Sequence, residues 1–296
     1  MSKLTIRSFA KLNIALDVLD KRPDGYHNIE SVIQSISLHD HLSMIKREDG
    51  VVTVTTTDPA VPAGPGNLAY RAAVIYLEAC GLDSGVDIEI EKLIPVEAGL
   101  GGGSSNGAAA LVGLNELHGR PLGHEDLRRL AARLGSDAPF FLFGGAAIVS
   151  GRGEIVNELP DISLDYVVVK PDFGVSTAQA YARLDDEKRS PRYASRAIVD
   201  AVLEGDRRKV TENMANDFER VVESERPEIA RIKARLLSLG ADGAMLAGSG
   251  SAVFGVFLDA NACDLAFQAI MEEYPKVFRA RSARREEFAR LEASCE

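Results

Sequence analysis

Apolar residues occupy alternate positions along Leu12, Ile14, Leu16 and Val18, after a similar start at Leu4 and Ile6. A period of two predicts one or two β-strands at the head of the chain. Residues 29–38, 42–45 and the β-branched run 51–55 predict further strands. The period then lengthens toward that of a helix. Asn67 stands where it can cap a helix with Leu68, Ala72, Ile75 and Ala79 on one face, and Gly81 where it can stop it. Val86, Ile88 and Ile90 alternate again as a strand. Two helical stretches follow: one carries Leu111, Leu114 and Leu117 and ends at Gly119 with Pro121 beyond, and the other carries Leu127, Leu130, Ala131 and Leu134 and ends at Gly135. Residues 146–149 and 164–169 read as strands, the second with the unbroken run Val167, Val168, Val169. Helical patterns cover 196–203 and 207–222, and Pro227 opens a helix with Ile229, Ile232, Leu236 and Leu239 on one face, closed by Gly240. A strand at 252–258, a helix near 265–271 and a strand near Val277 complete the chain. The pattern is α+β in two halves, 1–160 and 161–296, with longer helices after Pro160.

The strand at Val86 leads into PVEAGLGGGSSNGAAAL, from Pro95 to Leu111. Gly99, Gly101, Gly102 and Gly103 fall within five residues, Ser104 and Ser105 follow, and an alanine-rich helical pattern comes directly behind. Without Cβ atoms a backbone can turn so that several N–H groups face one point. A helix starting there adds unpaired N–H groups and the positive end of its dipole. Such a cradle suits a phosphate, whereas a mere flexible linker does not require a helix docked behind it. It is not a Walker loop, which needs GxxxxGK, because no lysine is present. Gly99-x-Gly101 begins a dinucleotide fingerprint, but position 104 is Ser, so the third glycine is missing.

Other positions carry candidate chemistry beside an ordinary structural explanation. Lys11 and Asn13 share one strand face, which is either a solvated face or two groups aimed at one space. Pro23-Asp24-Gly25 is a turn, and Tyr26 and His27 follow it as half-buried aromatics or as a stacking platform with a hydrogen-bonding partner. Ser136 or Asp137 can cap a helix with Pro139 in its first turn, so Asp137 is either a cap or a catalytic carboxylate. Residues 247–251 form a second glycine loop that a tight strand connection would also explain. The charge run 185–192 is expected to be a solvated surface connection.

Composition removes several classes. The 296 residues carry a net charge of −10, which disfavours non-specific nucleic-acid or membrane binding. No apolar run reaches the ~18 residues of a membrane span. The first residues lack the apolar core of a signal peptide. Cys80, Cys263 and Cys295 form no disulfide or metal pattern, so a reducing cytoplasm is expected.

Three segments, AKLNIALDVLDKRPDGYH, PVEAGLGGGSSNGAAAL and AMLAGSGSAVFGVF, resemble the three motifs of the GHMP kinase superfamily, small-molecule kinases whose ATP loop has no Walker lysine. AKLN followed by KRPDGYH is similar to the branch acting on cytidine-diphospho methylerythritol in non-mevalonate isoprenoid synthesis. Mevalonate, homoserine and galactose kinases share the glycine loop but not the DGYH turn. The resemblance implies a ribosomal-protein-S5-like domain over 1–160 and a ferredoxin-like domain over 161–296. It implies ATP as donor and Mg²⁺ on the phosphates, through Ser104 or Ser105 and water. By the same resemblance Lys11 and Asp137 are the catalytic pair. Asn67, Leu68, Pro95, Gly99, Leu100, Gly101, Gly102, Gly103, Ser104 and Ser105 hold ATP. Tyr26 and Tyr181 clamp the cytosine, His27 reads its edge, and Asn13 and Thr177 contact the methylerythritol arm. A soluble monomer or weak homodimer is expected. Gly107 stands where alanine is usual, Ala247 where serine is frequent, and Tyr181 where some members have phenylalanine.

Overall fold

The computed structural model describes residues 3–185, 193–288 and 292–294. Strands β1 (Lys3–Lys21) and β2 (His27–Arg47) form a long antiparallel hairpin about the Pro23–Gly25 turn. Then come β3 (Val52–Thr56), α1 (Leu68–Cys80), β4 (Gly85–Glu91), α2 (Gly102–Leu117), α3 (His124–Leu134), the single turn α4 (Phe140–Phe143), β5 (Ala146–Ser150) and β6 (Ile155–Leu159). The second half runs β7 (Asp165–Val169), α5 (Thr177–Asp185), α6 (Ala194–Glu204), α7 (Arg207–Glu212), β8 (Ala215–Asn216), α8 (Glu219–Glu225), α9 (Pro227–Ser238), β9 (Gly243–Leu246), β10 (Val253–Phe257), α10 (Ala260–Met271), β11 (Val277–Arg281), α11 (Arg285–Phe288) and β12 (Glu292–Ser294).

Two sheets organise these elements. The larger has the order β12-β1-β2-β4-β3, with β5 and β6 continuing from β2 and β8 pairing beside β1. The smaller is antiparallel, β11-β7-β10-β9. Its four strands in chain order lie 4-1-3-2, the arrangement of a ferredoxin-like βαββαβ unit. Helices α1, α2 and α3 cover one face of the large sheet, where Leu42, Met44, Ile88 and Ile90 meet Ala72, Tyr76, Leu114 and Leu130. Its other face, with Leu12, Ile14, Val32 and Ile36, packs with Tyr166, Val168, Phe254 and Val256 of the small sheet. The far side of the small sheet, Val167, Val169, Val253 and Phe257, lies under Ile229, Ile232 and Leu236 of α9 and Cys263, Ala266 and Ile270 of α10. This explains the unbroken valines of β7: a strand covered on both faces has no polar side to present.

Several local expectations are corrected. The head of the chain is one strand, within the expectation of one or two, but 29–38 and 42–45, expected as separate strands, both belong to β2. The helix expected over 207–222 is broken, because Ala215 and Asn216 leave it to pair with Ala15 and Leu16 of β1. The buried face of α1 is Ala69, Ala72, Ala73, Tyr76 and Leu77, turned from the expected stripe, so that Ala79 is exposed. Its ends are as expected: the Asn67 side chain accepts from Ala69 N, and Gly81 is left-handed. Gly107 also gains a reason. A Cβ there would lie 3.1–3.3 Å from Leu134 and Leu68, so its absence lets α2 approach the start of α1.

The two glycine loops dock on each other. Ser251 N donates to Glu97 O at 3.2 Å and Ala252 N to Ala98 O at 3.1 Å. A Cβ on Gly99 would stand 1.9 Å from Ala247 O, and Gly99 has φ +77°. Gly119, φ +76°, has nothing within 4 Å of that position. Gly99→Ala is therefore expected to lower the melting temperature well beyond Gly119→Ala, which carries only the left-handed penalty of ~1–2 kcal/mol. Equal melting temperatures for the two variants would contradict the tight docking of the loops.

Candidate active site

The first glycine loop is anchored from below. Asp40, fully buried, accepts from the backbone N–H of Leu93 and Ile94 at 2.8 Å each, from Lys92 Nζ at 2.5 Å and from Asn106 Nδ2 at 2.8 Å. Asn106 Nδ2 also donates to Ser8 Oγ at 2.9 Å, and Ser8 to Ser105 Oγ at 2.7 Å. Both flanks of the loop are thus tied to β1 and β2. A Cβ on Gly102 would be 3.2 Å from Lys92 Nζ, so a lysine does stand beside this loop, supplied from outside it and paired with Asp40. Gly101, at φ +73°, caps α2 with no side-chain cap bond, which leaves the first-turn N–H groups for another acceptor. Ser105 is buried in the network beneath, whereas Ser104 is half-buried in the first turn. Asn67 caps α1 and Leu68 begins it, with Leu68 against Gly107 of α2.

Lys11 and Asn13 are 5% and 4% exposed, which removes the solvated-face explanation. Lys11 N donates to Leu100 O at 3.0 Å, joining β1 to the glycine loop. Its Nζ donates to Asn13 Oδ1 at 2.6 Å, Asn13 Nδ2 to Ser31 Oγ at 2.8 Å, and Ser31 Oγ to Ala15 O at 2.5 Å. This chain fixes which way the Asn13 amide faces. Asp137 Oδ2 lies 3.8 Å from Lys11 Nζ, its side chain 38% exposed. Neither Ser136 nor Asp137 caps α4: its N-cap is Pro139, with no side-chain cap bond. A carboxylate half open to a cavity and beside a buried ammonium has the setting of a proton acceptor. Burial pushes the Lys11 pKa down from its ordinary value, and the Asp137 charge works against that shift.

One cavity of about 650 Å³ connects this pair to the aromatic residues. Lys11, Asn13, Asp137, Gly99, Gly101, Tyr26, His27, Thr177 and Tyr181 all line it. The second glycine loop contributes Gly248 and Ser249, and Thr177 Oγ1 lies 2.8 Å from Ser249 Oγ. The expected clamp is not closed. Tyr26 is 56% exposed with the Arg152 guanidinium 5.0 Å from its ring centre. The face of Tyr181 carries the His27 ring instead, at 5.0 Å and 13°, while Phe218 meets Tyr181 edge-on at 4.8 Å and 89°.

Sequence reasoning missed Asp185. Read as the first residue of a surface charge run, it lines the cavity, with Oδ1 2.6 Å from His27 Nε2 and Oδ2 2.5 Å from Lys21 Nζ. The rest of that run, 186–192, lies outside the described residues. Asp185 is eight residues, about two helical turns, beyond Thr177. That spacing from an expected contact residue was the available signal. Arg152, Lys21 and Phe218 also line the cavity with no individual mark in the sequence.

A glycine loop at a helix start, a lysine–aspartate pair and a cavity joining them, set between two such sheets, are the arrangement expected of a small-molecule kinase of the GHMP type, and the comparisons agree. Residues 67–145 match the GHMP kinases N terminal domain and residues 198–276 the GHMP kinases C terminal domain. The chain is 44% identical over 257 residues to the 4-diphosphocytidyl-2-C-methyl-D-erythritol kinase of Pelotomaculum thermopropionicum, covering 86% of this chain and 90% of the relative. It is 42% identical over 281 residues to that of Moorella thermoacetica, covering 93% and 98%. A crystal structure of 4-(cytidine 5'-diphospho)-2C-methyl-D-erythritol kinase superposes with TM-score 0.81 at 33% identity, over 94% of this chain and 99% of that one. Homoserine kinase from Cytophaga hutchinsonii shares the fold, with TM-score 0.75 at 19% identity, over 95% and 94%. The chain belongs to the 4-diphosphocytidyl-2-C-methyl-D-erythritol kinase family.

A buried lysine below its ordinary pKa of 10.5 costs stability while it is charged. The folded chain holds that proton less tightly than the unfolded one, so stability rises with pH as the group deprotonates. At pH 7 Lys11→Met is expected to resist urea at least as well as the wild type, which then gains on the variant as pH rises toward 10.5. A gap that stays constant, or widens in favour of the variant, would contradict this.

Proposed function

We propose that this chain transfers the γ-phosphoryl group of ATP to the 2-hydroxyl of 4-diphosphocytidyl-2-C-methyl-D-erythritol, a step in non-mevalonate isoprenoid precursor synthesis. The observation that carries the reading is the single cavity that joins the Lys11–Asp137 pair and the glycine loop to Tyr26, His27 and Tyr181. One end suits a phosphate donor and the other a planar base. The residues span a substrate with an alcohol at one end and a nucleotide at the other.

Phosphoryl transfer asks the protein for position, charge stabilisation and a home for the nucleophile's proton. Asp137 accepts the hydroxyl proton as the oxygen attacks phosphorus. Lys11, fixed by Asn13, stabilises the negative charge on that oxygen and on the moving phosphoryl group. The N–H groups at the start of α2 hold the donor's phosphates without adding protein charge. Thr177 and Asn13 flank the alcohol arm. The base lies beside the His27 ring in the layer over Tyr181, and Tyr26 closes over it from its exposed position.

Among the described residues no three His, Cys, Asp or Glu side chains converge as a metal cage. The half-buried Ser104 hydroxyl in the first turn of α2 is nevertheless a hard oxygen donor that fits Mg²⁺, an ion that keeps several waters. Bound to the phosphates, that ion would neutralise charge on the transferring group. Ser105, committed to Ser8, is the poorer candidate of the two serines. We take 1–160 and 161–296 as the two units of the chain, with β8 and β12 crossing back to the first sheet. No described helix is long and apolar enough to cross a membrane. We place the enzyme in the cytoplasm on its cysteine pattern.

The test is ADP release with the cytidine-diphospho alcohol, run beside mevalonate and homoserine. Turnover is expected with the first alone. Asp137→Asn is expected to lower kcat by ~10²–10⁴-fold with little change in the KM for ATP. Near-normal kcat in that variant would remove Asp137 from the chemistry, and turnover of mevalonate alone would overturn the substrate.

A further inference from the structure

Asp185 divides its two oxygens between two partners. Oδ2 takes the Lys21 ammonium at 2.5 Å, and Oδ1 faces His27 Nε2 at 2.6 Å. An ionised carboxylate only accepts hydrogen bonds. Nε2 must therefore carry a proton. In a ring that carries its one proton on Nε2, the other nitrogen, Nδ1, is an acceptor. Nδ1 has no hydrogen-bond partner among the described residues, and His27 lines the cavity. The two partners, Lys21 first and then His27, also hold the Asp185 carboxyl below its ordinary pKa.

Stacking defines where this acceptor acts. The His27 ring lies nearly parallel to Tyr181, at 13°. A base resting on the same tyrosine occupies the layer that His27 already occupies. Two flat rings in one layer meet edge to edge, and their in-plane groups form the hydrogen bond. Stacking itself does not distinguish one base from another. The edge does: cytosine presents an amino donor at position 4, where uracil presents a carbonyl acceptor.

We propose that Asp185 is a positioning residue for base choice: by accepting the His27 Nε2 proton, it keeps Nδ1 as an acceptor for the cytosine amino group and sets a lone pair against the uracil carbonyl. This rests on the cytidine-nucleotide reading above. Asp185 acts through His27 and need not touch the base. Its reach is also limited to the base, because the phosphate cradle and the Lys11–Asp137 pair are built from other elements.

Two measurements test it. Nitrogen-15 NMR of the free protein reads the His27 tautomer without any substrate. The ratio of kcat/KM for the cytidine-diphospho alcohol to that for its uridine counterpart reads base choice. The wild type is expected to show a neutral ring protonated at Nε2 and a strong preference for cytidine. In Asp185→Ala the ring is expected to populate both tautomers and the ratio to fall by about tenfold or more, since mispaired buried groups carry the discrimination. The KM for ATP is expected to stay within about twofold, as that site is assembled elsewhere. Asp185→Asn, which keeps the shape of the side chain, guards against an alanine variant that does not fold, and is expected to show the same two changes to a lesser degree. A wild-type ring protonated at both nitrogens, or a wild-type base preference in both variants, overturns the proposal. Failure of the wild type to use the cytidine substrate at all would instead overturn the functional reading, and the NMR result would still report on the Asp185–His27 pair.

Discussion

The close approach of two backbone turns holds this molecule's centre together. The first glycine loop and the second meet main chain to main chain, with so little space that any side chain on Gly99 would strike Ala247 O. Everything chemical is arranged around that contact. A Cβ on Gly248 would lie 3.4 Å from both Lys11 Nζ and Asn13 Oδ1. Leu100, inside the first loop, accepts from the backbone of Lys11. The small sheet, which carries the second loop between β9 and β10, therefore helps to shape a site whose charged groups sit on the large sheet and its following helices. Ordered, satisfied main-chain groups are a preorganised environment, which needs little rearrangement when charge moves.

That arrangement also reconciles a net charge of −10 with a polyanionic ligand. The chain does not rely on a field of lysines. It offers N–H dipoles at a helix start, with Lys11 buried beside Asp137 and Lys92 buried beneath the loop beside Asp40. Charges held this way are screened little by salt and act at short range. The cost is a buried ammonium with a depressed pKa, an instance of an active site trading stability for function.

Much of this was legible in the residues. The alternation of β4, the caps Asn67 and Gly81, and the glycine loop with its helix all follow from local chemistry, and the structure has them where the pattern places them. What was not legible depends on tertiary contacts. Nothing within 207–222 announces that two of its residues will leave a helix to join β1. Asp137 satisfied the local rule for a helix cap, and only the packing around Pro139 shows that it is not one. Lys11 and Asn13 owe their burial to the two glycine loops, which reach them through Gly101 and Gly248 from distant parts of the sequence. Asp185 was hidden by its neighbours: a charged residue beside other charged residues reads as solvated surface, and only the return of α5 to the Pro23–Gly25 turn brings it to His27.

The rest of the proposal hangs on phosphates being gripped by the main chain of the first glycine loop, facing the Lys11–Asp137 pair. Its most direct measurement is a ¹H–¹⁵N NMR titration with a non-hydrolysable ATP analogue. The amide signals of Gly101, Gly102, Gly103 and Ser104 are expected to shift strongly downfield as they donate to the phosphates, and to do so in Asp137→Asn as well. If those amides stay still while signals elsewhere in the chain respond to the nucleotide, the cradle is in the wrong place.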